Sequence, residues 1–375
     1  MNKIEMVDLR SQYLRMKDEI DAAIQNVIDS TAFVKGPAVK QFEDNLAGFL
    51  GVKHVIACGN GTDALQIALM ALDLKPGDEV IAPTFTFIAS AEIIALLGLT
   101  PVLVDVEPDT YNISAEAVKA AITPKTRAII PVHLFGQNAD LDAILELAKL
   151  NNLYVVEDAC QSIGSNYLGK DGSVCQSGTL GDIGCTSFFP SKNLGCYGDG
   201  GAMFTNNDEL AAKIRAISNH GMMVRYYHDM VGVNSRLDGI QASILDVKLK
   251  QLDDFGSRRN AAATYYDNAF NAIEELQTPH RSPVSTHVFH QYTLCVKNGK
   301  RDALKDFLND KGIPAMVYYP VPLHLQKAYI DPRYNEGAFP VSEKLCKEVI
   351  SLPMHTELSD DQLLYITESV QEFFG

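Results

Sequence analysis

An amine, a carboxylate and a hydroxyl stand at the ends of short apolar runs in the middle of this chain. Lys192 lies in Thr186-Ser187-Phe188-Phe189-Pro190-Ser191-Lys192-Asn193-Leu194-Gly195, downstream of Glu157-Asp158-Ala159-Cys160-Gln161-Ser162. An acid closing an apolar strand can hold a pyridine nitrogen protonated. An opposite charge within bonding distance keeps such a ring cationic and able to accept electrons. A lysine in partly apolar surroundings has a lowered pKa, which favours the neutral amine that forms an imine. Ser187, five residues before Lys192 and at a strand end, can help bind a phosphate. Gln161 can donate to a phenolic oxygen. Together these groups are what pyridoxal phosphate requires. Each has a plainer reading: Asp158 as a turn cap, Lys192 as a solvated lysine, Ser187 as a backbone-satisfied hydroxyl, Gln161 as a surface glutamine.

A second feature is Cys58-Gly59-Asn60-Gly61-Thr62-Asp63-Ala64, which follows a strand and opens a helix. Backbone N–H groups and the helix dipole converge there on a small anion site. Gly59-x-Gly61-x-x-Ala64 also fits a dinucleotide fingerprint, but that reading wants an acid at the end of the following strand. The strand ends Ile81-Ala82-Pro83-Thr84, and the nearby acids, Asp78 and Glu79, precede it. A phosphate cradle is therefore expected over a nicotinamide site or a plain tight turn.

These residues need a scaffold. Strands are expected at Lys53–Cys58, Glu79–Pro83, Val102–Val106, Arg127–His133, Leu153–Glu157, Gly184–Phe189 and Gly200–Thr205. Between them, helical patterns run over Thr62–Leu72, Ala89–Leu97, Ser114–Ala121 and Leu141–Asn151, with Thr62 and Ser114 as N-caps. Apolar strands alternating with helices predict an α/β fold whose mostly parallel sheet is covered by helices. After Asn206 the pattern changes: long helices at Leu237–Leu252 and Ser257–Ile273, a strand at His290–Val296, a helix at Arg301–Asn309, a strand at Ala315–Tyr319 and a terminal helix from Ser359. The expected division is a large domain over 1–250 and a smaller α+β domain over 251–375. The segment Tyr318-Tyr319-Pro320-Val321-Pro322-Leu323-His324 reads as an irregular, site-lining piece.

The 375 residues are 46% hydrophobic and 21% charged, enough for a real core. Net charge is −15 and the pI near 5.0, against a general nucleic-acid partner. The longest apolar stretches are too short to span a bilayer. Met1-Asn2-Lys3-Ile4-Glu5 lacks the design of a secretory signal, so a cytoplasmic protein without a membrane partner is expected. The seven cysteines form no C-x-x-C pair, and neither a metal site nor a disulfide framework is expected.

Five motifs then occur in fixed order: Gly61-Thr62-Asp63-Ala64-Leu65; Glu157-Asp158-Ala159-x-Gln161-Ser162; Ser187-Phe188-Phe189-x-x-Lys192; Gly198-Asp199-Gly200-Gly201-Ala202; and Gly232-x-Asn234-x-Arg236-Leu237. Their order resembles the DegT/DnrJ/EryC1/StrS sugar aminotransferases, nearly end to end. Phe188 to Ala202 and Ser351-Leu352-Pro353-Met354-His355 look most like the WbpE-type branch. That branch aminates carbon 3 of a UDP-linked 2-acetamido-2-deoxy-3-keto-glucuronic acid for surface polysaccharide, with L-glutamate as donor.

The resemblance implies a fold-type I pyridoxal phosphate transferase, homodimeric, with active sites shared between subunits. By position, it assigns Lys192 to the imine and Asp158 to the ring nitrogen. Gln161 falls to the phenolic oxygen, Gly61, Thr62 and Ser187 to the phosphate, and Phe87 to the ring face, although core packing is the plainer reading of Phe87. Asn234 would reach the phosphate from the partner copy. Arg236 and Tyr319 would meet the substrate carboxylate and sugar, with His324 and Arg225 as further substrate contacts; for Arg225 a solvated loop is the plainer reading. The alternatives are amination of carbon 3 or 4 on a dTDP- or UDP-keto-6-deoxyhexose, or a cofactor-binding regulator without turnover. A dehydratase of the same fold would carry histidine in place of Lys192.

Overall fold

The computed structural model describes residues 3–375. The reading of the N-terminus as lacking a signal rests in part on residues 1 and 2, which lie outside the described residues. The strands are β1 (His54–Cys58), β2 (Glu79–Pro83), β3 (Thr100–Val104), β4 (Thr126–Ile129), β5 (Tyr154–Asp158), β6 (Asn166–Leu168), β7 (Val174–Gln176), β8 (Ile183–Ser187), β9 (Gly201–Thr205), β10 (Met222–Val224), β11 (Tyr227–His228), β12 (Leu276–Gln277), β13 (Tyr292–Val296) and β14 (Val349–Leu352). The helices are α1 (Leu9–Arg15), α2 (Lys17–Ser30), α3 (Pro37–Leu50), α4 (Gly61–Ala71), α5 (Ala89–Leu96), α6 (Ala115–Ala121), α7 (Leu141–Asn151), α8 (Asp208–Ile217), α9 (Gly239–Leu249), α10 (Leu252–Phe270), α11 (Arg301–Asp310), α12 (Pro340–Glu348) and α13 (Asp360–Phe374).

The main sheet has the order β1-β9-β8-β5-β4-β2-β3. Neighbours from β3 through β2, β4 and β5 to β8 pair in parallel, whereas β9 runs antiparallel to both β8 and β1. This is the α/β, mostly parallel seven-stranded sheet that the sequence predicts. Parallel pairs need crossovers, and the crossover helices bury both faces, so the strands read as continuous apolar runs. On one face, α4, α5 and α8 pack Leu65, Ile93 and Ile214 against Ile56, Val80 and Met203. On the other, Val118 of α6 and Ile144 of α7 pack on Ile81, Ile129 and Val155. The parallel strands end on one edge, where open α/β sheets hold ligands.

The C-terminal part builds on an antiparallel sheet, β12-β13-β14. Tyr292 and Leu294 of β13 pack there with Tyr266 of α10, Leu304 of α11 and Ile366 of α13. Ile4, from the other end of the chain, joins the same core. The expected boundary at residue 250 falls in the break between α9 and α10.

Three local expectations are corrected. Ala315–Tyr319 is not a strand; it makes one isolated bridge, Met316 to Ser351, because Pro314 and Pro320 bracket it and neither can donate to a ladder. Thr62 is not the N-cap of α4. Asn60 is extended and its side chain accepts from the Asp63 N–H at 2.8 Å, which leaves Thr62 inside the first turn. The second long helix begins at Leu252, ahead of the expected Ser257. Ser114 does cap α6, and Ser359 caps α13 in a reciprocal box with Gln362.

Glu157 locks the end of β5. It is fully buried, and its carboxylate accepts from the backbone N–H groups of Gly178 at 3.1 Å and Leu180 at 2.7 Å, and from Gly181. His133 Nε2 lies 2.9 Å away. Glu157→Ala strands those donors, so urea denaturation should show a loss of about 3 kcal/mol or more; a loss below about 1 kcal/mol would mean the turn holds itself.

Candidate active site

A cavity of about 650 Å³ opens where β5, β8 and the start of α4 meet. Gly61, Thr62, Phe87, Asp158, Gln161, Ser187, Lys192 and Tyr319 all line it. The structure thus brings together eight of the residues singled out from sequence, from segments spread over the whole chain. Phe87 is 53% exposed, so the core reading of it is set aside: its ring forms part of the cavity wall, 6.3 Å from that of Tyr319.

The floor is set by strand ends. Asp158 closes β5 and is 6% exposed. Its carboxylate accepts from Ser90 Oγ at 3.0 Å and from the Cys160 N–H at 3.2 Å. The turn-cap reading is therefore partly true, and the same contacts aim the carboxylate. Gln161 is fixed by the Phe135 N–H, which donates to Oε1 at 2.8 Å. Its amide N–H₂ then faces the cavity and donates to the Tyr319 hydroxyl at 3.1 Å. Burial pushes the Tyr319 phenol up, so it stays protonated.

Lys192 follows the apolar Phe188-Phe189-Pro190 run. Burial is the largest influence on its amine and lowers its pKa; Cys160 and Asp158 pull the other way. The Cys160 thiol, next to the same carboxylate, is held well above its ordinary range by burial and stays neutral.

The start of α4 suits an anion. Asn60 takes up the Asp63 and Ala64 N–H groups, and Gly61 and Thr62, the first two residues of the helix, line the cavity beside Ser187. A methyl group at Gly61 would lie 2.7 Å from Ser187 Cβ and 3.0 Å from Cys160 Sγ, so only glycine keeps this cradle open. A cradle for phosphate, a carboxylate for a ring nitrogen, an amide for a phenolic oxygen, an aromatic wall and a poised amine all fit pyridoxal phosphate. The nicotinamide alternative would leave Lys192 and Asp158 unexplained.

Arg225, Arg236 and His324 lie outside this cavity, as does Asn234, which was expected to act from the partner copy. His324 is buried, its Nδ1 3.0 Å from Thr84 Oγ1 and its Nε2 3.1 Å from Glu343 Oε1. Both ring nitrogens are satisfied, so it is a packing residue and not a cavity contact. Arg225 lies on the β10–β11 hairpin, stacked on Tyr226 at 4.9 Å. Asn234 is exposed, and Arg236 lines a separate cavity of about 540 Å³ with Lys35 and Asn219. The reason is Ser235, which donates to Asp63 Oδ2 at 2.5 Å and accepts from the Gly59 N–H at 2.8 Å. That pins 234–236 behind the cradle of the same chain.

The sequence reading missed Ser90, which orients Asp158, and Thr86 and His290, which line the cavity. Ser90 had a signal: it lies in the first turn of α5, the helix that follows β2 at the ligand-binding edge of the sheet. His290 had none.

The DegT/DnrJ/EryC1/StrS aminotransferase family model matches residues 14–371. The chain belongs to this family. It is 49% identical over 373 residues to the pleiotropic regulatory protein of Geobacillus stearothermophilus, covering 99% of this chain and 98% of that protein. It is 48% identical over 355 residues to the UDP-2-acetamido-2-deoxy-3-oxo-D-glucuronate aminotransferase of Pseudomonas aeruginosa, covering 95% and 96%. The UDP-N-acetyl-3-dehydro-alpha-D-glucosamine 3-aminotransferase of Acidithiobacillus ferrooxidans is 44% identical, over 98% and 97%. Among solved structures, DesV of S. venezuelae, in complex with a ketimine intermediate, superimposes with a TM-score of 0.95 at 38% identity, covering 100% and 99%. The Bacillus subtilis protein ntda with bound cofactor PMP gives 0.90 at 31%, covering 100% and 86%. The chain is a pyridoxal-phosphate-dependent sugar-nucleotide aminotransferase. No helix among the described residues is long and apolar enough to cross a membrane.

Two outcomes check the site. Lys192→Ala should abolish the visible absorption band of the bound cofactor while leaving the fold intact; a persistent band after dialysis and reconstitution would point to another lysine. Asp158→Asn should lower turnover about a hundredfold or more, through loss of ring protonation. Near-normal turnover would remove that account of the electron sink.

Proposed function

We propose that this enzyme moves the amino group of L-glutamate to carbon 3 of a UDP-linked 2-acetamido-2-deoxy-3-keto-glucuronic acid, from active sites shared across a homodimer. The observation that carries the reading is the separation of Arg236 and Asn234 from the cavity that their own chain builds. Ser235 fixes that separation, so within one copy the cavity has a cofactor cradle and donor groups but no arginine in its lining. A second copy supplies what is missing.

The β10–β11 hairpin supports the same arrangement. Met223, Val224, Tyr226 and Tyr227 on it, and Val231 beyond it, are 61–85% exposed, an apolar surface that asks for cover. Arg225 travels with that hairpin. Arg236 gives a guanidinium suited to the sugar carboxylate, because its planar fork matches a carboxylate in two parallel hydrogen bonds. Carbon-3 amination of a UDP-sugar is the activity named for two of the relatives above, one on a uronate and one on a glucosamine. The carboxylate is thus the feature on which the proposal turns.

Bound pyridoxal phosphate supplies the electron sink and carries nitrogen from donor to acceptor. In the proposal the chain does the rest. Gly61, Thr62 and Ser187 hold the phosphate, and Asn234 of the second copy closes over it. Phe87 covers the ring face. Asp158, kept aimed by Ser90 and the Cys160 N–H, holds positive charge at the ring nitrogen, and Gln161 donates to the phenolic oxygen. Lys192 anchors the cofactor and, when freed, carries a proton on Nζ between carbon centres. Tyr319 faces the sugar. Glutamate and sugar occupy one site in turn, which gives ping-pong kinetics.

Two experiments test the proposal. Arg236→Gln should lower kcat/KM for the uronate about 10- to 100-fold, the worth of charge-assisted hydrogen bonds, and leave the 6-hydroxymethyl analogue unaffected. Equal loss on both sugars, judged by product mass and rate, would sink the carboxylate assignment. In mixed dimers of Lys192→Ala with Asn234→Ala, one unimpaired site per dimer is expected; two equally impaired sites would place Asn234 in its own chain's cavity.

A further inference from the structure

Phe135, whose N–H meets Gln161, has φ 56° and ψ 6°, a left-handed backbone that residues with a Cβ rarely adopt, and Gly136 follows at φ 109°. A conformation of this kind persists only where its surroundings hold it. On one side the Leu134 N–H donates to Asn112 Oδ1 at 2.9 Å. On the other, the Gly136 carbonyl accepts from the Val288 N–H at 2.9 Å, and the Phe135 carbonyl from the Gln291 N–H at 3.4 Å. A Cβ at Gly136 would lie 2.9 Å from the backbone nitrogens of Phe289 and His290, so the turn seats closely on that segment. The Phe135 ring is 3% exposed. It stacks on Tyr319 with centroids 6.5 Å apart, and meets Phe85 and Tyr111 edge-on at 6.4 and 6.0 Å.

A direction follows from this seat. A backbone N–H can only donate, so the Gln161 atom 2.8 Å from it is the carbonyl oxygen Oε1. The other end of the amide is then Nε2, which can only donate in turn. It lies 3.1 Å from the Tyr319 hydroxyl, and that hydroxyl accepts. The hydroxyl's own hydrogen has no acceptor among the described residues. Burial keeps the phenol protonated, so this hydrogen stays in place. The chain from the Phe135 N–H through Gln161 to Tyr319 runs one way and ends at the cavity as a donor. Turned round, the Gln161 oxygen would leave the Phe135 N–H unpaired inside the protein.

We propose that Phe135 is a positioning residue that sets the polarity of this chain: its left-handed backbone aims the N–H that makes Tyr319 a hydrogen-bond donor to an acceptor oxygen of the bound sugar nucleotide. The backbone gives the direction, and the ring, packed among Phe85, Tyr111 and Tyr319, holds the backbone in place. A carbonyl or carboxylate oxygen suits such a donor. An amide N–H at the same place would face it donor to donor. No proton changes hands. This rests on Tyr319 facing the sugar, as proposed above.

Binding measured by calorimetry on the cofactor-loaded enzyme tests it. The probe is UDP-linked 2-acetamido-2-deoxy-glucuronic acid, which carries a hydroxyl at carbon 3 and does not react. Tyr319→Phe should weaken its binding about tenfold, the worth of one hydrogen bond. Gln161→Glu puts a carboxylate oxygen on the Phe135 N–H and leaves no N–H for Tyr319, whose hydroxyl must then turn and donate to the carboxylate. In that background Tyr319→Phe should cost less than about twofold. A cost that is the same in both backgrounds overturns the proposal.

The role of the backbone is read at position 135 itself. Glycine takes a left-handed φ freely, whereas β-branched valine resists it, and both lack the ring. The cost of Tyr319→Phe should stay at about tenfold in Phe135→Gly and fall below about threefold in Phe135→Val. Equal costs in the two would make Phe135 a packing residue and overturn the assignment. If the valine variant does not fold, the comparison in Gln161→Glu still decides. Tyr319→Phe without loss in the otherwise unchanged enzyme would show that Tyr319 does not meet the sugar. That result sinks the reading beneath the proposal, whereas an undiminished cost in Gln161→Glu sinks the proposal alone.

Discussion

Glu157 and Asp158 are neighbours with opposite duties, and the division follows from the alternation of a β-strand. Glu157 points into the protein, where three backbone N–H groups and His133 surround it. Asp158 points to the cavity edge, aimed by Ser90 and the Cys160 N–H. A buried carboxylate without partners would be strongly destabilising; with them it becomes a pin. The pin holds the turn over 178–181 against the end of β5, and so fixes the edge from which Asp158, Gln161 and Ser187 project. The cofactor cradle depends on that edge. If the end of β5 shifted, the Asp158 carboxylate, the Gln161 amide and the Ser187 hydroxyl would lose their mutual spacing together.

What sequence made legible was what a repeating pattern or a local spacing carries. The first five strands of the main sheet, β1 to β5, alternate with helices, and apolar runs bounded by turns mark all seven. The Gly61 cradle, Asp158 and Lys192 each close or follow a strand, so local patterning was enough to place them at one edge. The errors were equally physical. Thr62 and Asn60 are both good capping types, and only the extended backbone of Asn60 decides between them. Ala315–Tyr319 has strand composition, yet the flanking prolines remove the donors that a ladder needs. His324 sits in an irregular aromatic loop that does reach the cavity, but through Tyr318 and Tyr319. The histidine itself turns inward to Thr84 and Glu343. His290 was invisible because nothing local distinguishes a histidine lying just before an apolar strand from one in an active-site wall.

A regulatory protein that keeps the fold without turnover would have no reason to preserve chemistry that is costly to hold. Lys192 is a desolvated amine, His290 a neutral imidazole with an empty nitrogen, and Asp158 a buried carboxylate. Each would be easier to accommodate as an apolar side chain. Their joint presence around one cavity is expected of a site that still moves protons.

The division of labour between the two cavities is the remaining structural problem, and Ser235 explains it. One hydroxyl donates to Asp63 and accepts from the Gly59 N–H, so the chain behind the phosphate cradle is fixed at the same point that shapes its front. Arg236, just beyond, lines the neighbouring cavity with Lys35, whose amine is lowered first by burial and then by the guanidinium itself. Glu43, which lines the same cavity, is paired with Arg215, while the Lys35 amine donates to Asn219 Oδ1 at 2.6 Å, so the cations of this cavity outnumber its acids and an anion beside them is favoured. A nucleotide-linked uronate brings several negative charges. Under the shared-site arrangement proposed above, a substrate reaching from one copy's cofactor cradle to the other copy's Arg236 would bring its charge to those cations.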